Sequence, residues 1–181
     1  MTTQVPSVNL AERIVRKFGG LCIADEVQTG FGRTGTKFWG FENWGVTPDI
    51  VTMAKGIGNG APLGACVTRA DIAKTTTNRV HFNTYGGNPI CCAAAIATLD
   101  LVRGGLMQNA ARMGDHFMQR LQELQARHAV IGEVRGRGLM IGMELVTDRH
   151  SRTAARELCD RFITRAYENG LLLLSCGQST V

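Results

Sequence analysis

The chain has 181 residues, of which 44% are hydrophobic and 19% are charged. This composition is typical of globular proteins and excludes disordered and collagen-like chains. No uninterrupted apolar stretch approaches the roughly 18–20 residues of a membrane-spanning helix. The beginning, MTTQVPSVN, has neither a basic flank nor an apolar segment. We therefore expect neither a membrane span nor a secretory signal.

Charge, cysteine and histidine exclude other classes of function. The 20 Lys and Arg residues exceed the 15 Asp and Glu residues, but they alternate with acidic residues in the second half. That alternation is typical of solvated helix faces and disfavours nucleic-acid binding. The six cysteines form no C-x-x-C, which predicts reduced thiols in a cytoplasmic compartment. The four histidines lie far apart, so we predict no metal site.

The first half of the chain alternates helix-like and strand-like patterns. Apolar residues at helical spacing predict a helix over 10–18, ended by the glycine pair that follows. Apolar runs at 21–27, 48–54 and 62–68 are typical of strands, and the first indicates a buried parallel strand. This order predicts an α/β layer with a mostly parallel sheet.

A strong helix signal begins at Asn88. Asn is a favourable N-cap, Pro89 suits the first turn, and an alanine-rich run to residue 103 precedes two glycines. We predict a linking helix over about 88–103. The predicted domains are residues 1–104 and residues 105–181.

The second domain shows a mixed pattern. Apolar spacings of four, four and three over 113–124 indicate an amphipathic helix. A strand over 139–146 and a helix over 151–169, capped by Ser151, are predicted next. The apolar run LLLLS predicts a final strand. These elements indicate a smaller α+β unit.

Two glycine-rich stretches invite a dinucleotide-site interpretation. The first, over residues 30–35, fits G-x-G-x-x-G and follows a predicted strand, but no helical periodicity comes after it. The second, over 136–138, precedes an apolar strand instead of following one. Both are better explained as loops whose shape requires glycine.

Lys55 differs from the other three lysines of the chain. An apolar strand leads to it and a glycine-rich turn follows it. Desolvation at such a place would lower the pKa of a lysine and favour the neutral amine that a Schiff base requires. A lysine that only emerges into solvent at the end of a strand explains the pattern equally well.

Asp25 and Glu26 form the second candidate group, at the carboxyl end of the first predicted strand. A carboxylate there needs water, a cation or a hydrogen-bond donor, and this edge of an α/β sheet is where ligands bind. A protonated pyridine nitrogen is one such partner. A salt bridge at the end of the strand is at least as common.

Three motifs together resemble one family. LCIADEVQTGFGRTG, then Lys55 within PDIVTMAKGIGNGAPLGA, then HFNTYGGNP, resemble the class III (ornithine/4-aminobutyrate type) pyridoxal-phosphate-dependent aminotransferases. The sequence of these motifs is most similar to the alanine–glyoxylate aminotransferase branch of the family. The resemblance implies part of the type I fold of pyridoxal-phosphate-dependent transferases. The implied part of the fold comprises the mostly parallel sheet of the large domain, with its helices, and most of a smaller C-terminal α+β domain.

The resemblance also implies roles for single residues. Lys55 would form a Schiff base with pyridoxal phosphate and move a proton between the substrate α-carbon and the cofactor C4′. Asp25 would bind the pyridine nitrogen, and Val27 would pack on the ring. Gln28 would reach the phenolic oxygen side. Thr84 would hydrogen-bond the phosphate of the neighbouring subunit's cofactor in a homodimer.

The implied reaction is ping-pong transamination from an amino acid, such as alanine or a β- or ω-amino acid, to a 2-oxo acid. Members of the family are more than twice as long, so we expect this chain to be a fragment that lacks the phosphate-binding turn and an arginine for the substrate carboxylate. Two alternatives stay open: a silent relative acting as a dimerisation partner, and another reaction of the same cofactor, such as an aminomutase or racemase. We expect a cytoplasmic location, or the mitochondrial matrix if a longer precursor exists.

Overall fold

The computed structural model describes residues 8–181. These residues divide into two compact units, the first ending at Ala110 and the second covering Ala111–Val181. The residues on which the expectation of no secretory signal depends lie almost entirely outside the described part. In the first unit the elements are helix α1 (Val8–Lys17), strands β1 (Ile23–Asp25), β2 (Ile50–Met53) and β3 (Ala65–Thr68), and helices α2 (Ala70–Lys74) and α3 (Pro89–Leu101). Short 3-10 helices cover Gly40–Trp44 and Lys55–Ile57.

The sheet of the first unit has the order β1-β2-β3. β1 and β2 are parallel, with Asp25 opposite Thr52, whereas β3 runs antiparallel to β2. The connection between β2 and β3 contains only turns and one 3-10 helix, and a parallel return needs a longer crossover. The sheet is therefore mixed, where the sequence indicated a mostly parallel one.

β1 is shorter and more exposed than the buried strand predicted over 21–27. It covers three residues, and the Ile23 side chain is 63% exposed. Within residues 8–181, β1 lies at one edge of the sheet and pairs with β2 alone. An edge strand has neighbours on one side only, which explains why the prediction of a buried strand is wrong here.

Helix α3 confirms the predicted capping. The Asn88 side chain accepts hydrogen bonds from the backbone N–H groups of Ile90 and Cys91, and Pro89 is the first helical residue. The glycine pair after it does not stop the helical run. A π-turn over Val102–Leu106, with Gly105 at φ 140°, joins α3 to α4 (Met107–Arg127).

The combined helical run Pro89–Arg127 is, by length and composition alone, apolar enough to cross a membrane. The apolar-stretch criterion predicted no such helix. A single helix of this kind is weak support for a membrane span, and this one bends at Gly105.

The second unit contains the rest of α4, the hairpin β4 (Ile131–Arg137) and β5 (Met140–Asp148), the short β6 (Thr153–Ala154) and helix α5 (Arg156–Glu168). The strands are antiparallel in the order β4-β5-β6. The core of this unit lies between α4, the hairpin and α5. It is built from Leu121, Ile131, Met143, Leu145, Ala155 and Cys159.

In this unit one strand was not predicted and two predictions need correction. β4 was not predicted, because its sequence IGEVRGR carries polar residues and two glycines. Helix α5 begins at Arg156, since Ser151 lies in a turn where its N–H donates to Asp148 Oδ1. Residues 171–175 form no strand, because β5 pairs instead with the last residues, through Met143 with Val181 and Leu145 with Ser179.

Candidate active site

The carboxyl ends of β1 and β2 bring two predicted site residues to one edge of the sheet. Asp25 is the last residue of β1, and Lys55 begins the 3-10 turn directly after β2. Since the two strands are parallel and in register from Ile23 with Ile50 to Asp25 with Thr52, they end at the same edge. This is the edge at which α/β sheets bind ligands.

Lys55 has an unusual backbone. Its φ of 44° lies in the left-handed region, which non-glycine residues rarely adopt and which occurs often at functional sites. Its side chain is exposed and has no hydrogen bond or ion pair within residues 8–181. The expected desolvation of Lys55 is therefore not seen, because the turn carries the side chain beyond the last residue of β2 into solvent.

Asp25 is also exposed, and its carboxylate is partly committed. Oδ1 accepts a hydrogen bond from the backbone N–H of Val27 at 3.1 Å. Oδ2 has no partner in the described part of the chain, which leaves it available to a donor from a ligand. Val27 is half-buried and Gln28 is exposed, so this turn presents three of the predicted cofactor contacts at the sheet edge.

Glu26 has surroundings opposite to those of Asp25. Its residue is 2% exposed, and its carboxylate accepts hydrogen bonds from Thr29 Oγ1 and from the backbone N–H groups of Gly40 and Phe41. Grouping Asp25 with Glu26 missed this difference. The alternation of side chains along a strand is the signal that separates them.

Residues 28–44 form the loop that follows this edge. Gly32 and Gly35 have φ of 75° and 85°, and no α-helix begins there, which confirms that the G-x-G-x-x-G stretch is a loop. The rings of Phe31, Phe38 and Trp39 pack edge-to-face, with centroids 4.8–5.6 Å apart. These contacts hold the glycine-rich loop as one packed body.

Thr84 lies in a turn shortly before α3 and is exposed. Its hydroxyl makes no hydrogen bond in the part of the chain that the structure describes, so nothing joins it to Asp25 or Lys55 by that means. Helix α3 itself lies beside the Lys55–Ile57 turn. The structure thus places Asp25, Val27, Gln28 and Lys55 at one edge of the sheet, and Thr84 in the turn before α3.

The amino end of β2 holds a second buried carboxylate that sequence reasoning missed. Asp49 accepts a hydrogen bond from the backbone N–H of Cys22 at 2.9 Å and pairs with the guanidinium groups of Arg16 and Arg69. The Cys22 N–H, followed by Arg16, holds the pKa of the Asp49 carboxyl below its usual range. An aspartate directly before an apolar strand was the available signal.

Comparison with known proteins gives the chain a family. The family model described as Aminotransferase class-III matches residues 5–181. The chain is 51% identical over 160 residues to a protein of Arabidopsis thaliana named alanine–glyoxylate aminotransferase 2 homolog 2, mitochondrial. That alignment covers 88% of this chain and 33% of the relative, so the chain spans about a third of the relative's length.

Two solved structures share the fold. A phospholyase from Arthrobacter in complex with phosphoethanolamine matches with a TM-score of 0.89 and 38% identity, over 98% of this chain and 43% of that one. An amine transaminase from an uncultivated Pseudomonas species, in its PLP-bound form, matches with a TM-score of 0.85 and 40% identity, over 94% and 41%. These matches confirm the predicted α/β fold class. With the family match over almost the whole sequence, they show that the chain belongs to the class III aminotransferases, a family whose cofactor is pyridoxal phosphate.

Proposed function

We propose that this protein transfers an amino group from an amino acid to a 2-oxo acid, with pyridoxal phosphate held covalently by Lys55. The observation that carries the proposal is that an exposed carboxylate and a lysine without a partner in residues 8–181 lie at the same edge of the sheet. A strand-end aspartate and a lysine in a left-handed turn fit a cofactor that has a basic ring nitrogen and an aldehyde.

Oδ2 of Asp25 would accept a hydrogen bond from the protonated ring nitrogen, while Oδ1 still accepts from the backbone N–H of Val27. A carboxylate at that nitrogen keeps the ring positively charged, and the charged ring supplies the electron withdrawal on which transamination depends. Val27 would pack against the ring, and Gln28 would donate to its phenolic oxygen. Both residues follow Asp25 on one turn, which supports a shared role.

Lys55 would have a second role as general acid and base. In the first half of a ping-pong reaction the amino acid gives up its amino group, and in the second half the 2-oxo acid receives it. Nζ of Lys55 would take the α-proton of the substrate and deliver it to the cofactor carbon C4′. The exposure of Lys55 and its lack of a partner in residues 8–181 leave that amine accessible.

Thr84 would bind the cofactor phosphate of a second subunit. Its hydroxyl is exposed, and the residues around it include Val80, Phe82 and Tyr85, which are 99%, 82% and 81% exposed. Apolar side chains exposed to this degree favour a contact with another protein surface. We therefore infer a homodimer in which this segment faces the partner subunit.

We further propose that the chain is one part of a longer enzyme. It spans about a third of the Arabidopsis relative, and the remainder would supply the phosphate-binding turn and the arginine for the substrate carboxylate. A silent relative that acts only as a dimerisation partner is the competing interpretation.

The cellular location of the protein has two candidates. Reduced thiols favour the cytoplasm, whereas the name of the Arabidopsis relative favours mitochondria. A longer reading frame that begins with a basic amphipathic leader would indicate mitochondria.

A phospholyase reaction is the second candidate, favoured by one observation. The Arthrobacter structure that matches with a TM-score of 0.89 is a phospholyase in complex with phosphoethanolamine. On this chain such a reaction would rely on the same residue, Lys55, and on the same cofactor, pyridoxal phosphate. It would release inorganic phosphate from phosphoethanolamine without any 2-oxo acid, whereas a transaminase requires an acceptor for turnover.

Covalent trapping tests the proposal in the protein expressed from its complete reading frame. Borohydride treatment with pyridoxal phosphate, followed by peptide mapping, is expected to label Lys55. Lys55→Ala should abolish the label and lower amino transfer by roughly 10²-fold or more. The control Lys74→Ala, on the exposed helix α2, should leave both unchanged. A wild-type protein without label on Lys55 contradicts the proposal, and phosphate release from phosphoethanolamine alone favours the second candidate.

A further inference from the structure

Glu26 is a buried acid that the proposed chemistry does not use. Oε2 accepts hydrogen bonds from Thr29 Oγ1 at 2.9 Å and from Gly40 N at 2.7 Å, and Oε1 accepts one from Phe41 N at 2.9 Å. No cation pairs with Glu26 in residues 8–181, so three neutral donors satisfy its carboxylate. A buried acid bound in this way has few alternative positions.

The backbone of Glu26 is tied as firmly as its side chain. Its N–H donates to Thr52 O at 2.9 Å, which extends the pairing of β1 with β2 by one residue. Its carbonyl accepts from Gly30 N at 3.1 Å, which closes the turn. Glu26 therefore joins three segments: the end of β2, the turn over residues 26–30 and the start of the Gly40–Trp44 helix.

The residues on either side of Glu26 are the predicted cofactor contacts. Asp25 precedes it, and Val27 and Gln28 follow within the turn that its side chain closes at Thr29. Because side chains alternate along a strand, burying Glu26 turns Asp25 outward. The one buried side chain thus sets the direction of the exposed one.

The same turn extends towards Lys55. After Thr29 and Gly30 comes Phe31, and a Cβ added to Gly56 would lie 3.3 Å from Phe31 Cδ2. Gly56 directly follows Lys55 in the 3-10 turn. Displacement of the turn would therefore affect the surroundings of Lys55 as well as those of Asp25.

We propose that Glu26 is a positioning residue of the active site, which holds the turn carrying Asp25, Val27 and Gln28 in place through its bonds to Thr29, Gly40 and Phe41. This inference rests on the proposed function for the identity of the ligand, but the holding of the turn can be measured without it. Glu26 touches neither substrate nor cofactor in this proposal.

Glu26→Ala and Glu26→Gln are the informative substitutions. Alanine removes all three acceptor contacts. Glutamine keeps one acceptor oxygen. In the position of Oε2, that oxygen still accepts from Thr29 Oγ1 and Gly40 N, whereas the amide NH2 cannot accept from Phe41 N. We expect a graded series in which glutamine restores part of what alanine loses. Glu42→Ala is the matched control, since Glu42 is an exposed acid of the same loop whose Oε2 accepts from Trp39 N.

The first readout is backbone hydrogen exchange by mass spectrometry, in the protein expressed from its complete reading frame and without cofactor. Glu26→Ala should speed exchange roughly tenfold in residues 25–31 and 39–42, because Gly40 and Phe41 lose their acceptor. Glu42→Ala should affect only the neighbourhood of residue 39. Unchanged exchange over 25–31 in Glu26→Ala would overturn the proposal, whether or not the protein binds pyridoxal phosphate.

The second readout is spectroscopic, on the protein loaded with pyridoxal phosphate. Glu26→Ala should raise the dissociation constant of the cofactor about tenfold and shift the pH midpoint of the absorbance of the lysine-bound cofactor, with Glu26→Gln in between. Glu42→Ala should change neither. Faster exchange with an unchanged midpoint and affinity would reduce Glu26 to a structural role and overturn the proposal. A wild-type protein that binds no cofactor would instead refute the proposed function, while the exchange result still decides on the turn.

Discussion

Asp49 joins three parts of the first unit to the start of β2 through its carboxylate group. Its side chain is 1% exposed and contacts the start of β1 at Cys22, helix α1 at Arg16 and the end of β3 at Arg69. Its backbone carbonyl accepts a bond from Thr68 Oγ1. A buried carboxylate with these partners stabilises the fold as long as it is ionised. Asp49 therefore fixes the end of the sheet opposite the candidate active site.

The stabilisation from Asp49 should depend on pH in a defined direction. The folded state lowers the pKa of this carboxyl, so its contribution is complete above the unfolded-state value of about 3.9 and is lost as pH falls through the lower, folded value. We expect Asp49→Asn to lower the urea midpoint of unfolding clearly at pH 7 and progressively less below pH of about 3.9. A difference from wild type that is the same at both ends of the range would contradict this.

Asp71→Asn is the control for that measurement. Asp71 also pairs with Arg69, and that guanidinium lowers its pKa, but its side chain is 66% exposed. Solvent screens such a pair, so its contribution to stability is small. We expect a urea midpoint close to that of wild type at every pH.

The position of Lys55 and Asp25 could be predicted from the sequence, whereas their role stays a prediction. Each lies at the carboxyl end of an apolar run, and the parallel strands β1 and β2 end at a common edge. The positive φ of Lys55 was not predictable, since nothing in an Ala-Lys-Gly sequence requires it. Nor were the partners of Glu26, because Gly40 and Phe41 reach it only after the loop has folded back.

Helix α4 packs closely against the turn of the β4–β5 hairpin. A Cβ on Gly114, in the middle of α4, would overlap the backbone of Gly138 in the hairpin turn. Gly138 itself has φ of 53°, a conformation that favours glycine. Gly114 is thus required for the approach of the helix and not for helix formation, since glycine weakens a helix.

Gly114→Ala should therefore destabilise the second unit by about 1–3 kcal/mol, because the helix must move away from the hairpin. Gly104→Ala is the matched control in the same helical run, where an added Cβ meets nothing within 4 Å. It should be neutral or stabilise by up to about 1 kcal/mol. Thermal unfolding of both variants checks this, and equal effects of the two substitutions would refute the packing argument.

Elements whose signals are local were predicted well, and elements set by distant partners were not. The cap of α3 depends on Asn88 and Pro89 and the two residues after them, all adjacent in sequence. The run LLLLS has a strand-like composition, yet β5 takes residues 179–181 as its neighbour instead. β4 has little apolar character and forms because its backbone pairs with the antiparallel strand β5. Pairing of strands is decided by tertiary contacts that composition does not reveal.

At the scale of the molecule, the distribution of apolar surface is unusual. Exposed side chains in the first unit include Phe18 at 80%, Ile23 at 63% and Val67 at 58%, and those in the second include Leu172 at 79% and Leu174 at 88%. Scattered exposed apolar residues are normal, but such a number of large ones indicates surfaces that bind protein. The chain spans about a third of its Arabidopsis relative, and in the longer enzyme that we propose the remainder would cover these surfaces.

This leads to a prediction for the 181-residue chain alone. We expect it to self-associate and to bind a hydrophobic dye strongly, and to give no absorbance of lysine-bound cofactor with pyridoxal phosphate. The product of the complete reading frame should bind little dye and give that absorbance, because its apolar surfaces are covered and its cofactor site is complete. Sedimentation, dye fluorescence and absorbance on the two proteins make the comparison. A soluble monomer of 181 residues that melts in a single transition and binds the cofactor would show that the exposed edges of β1 and β3 need no further strands.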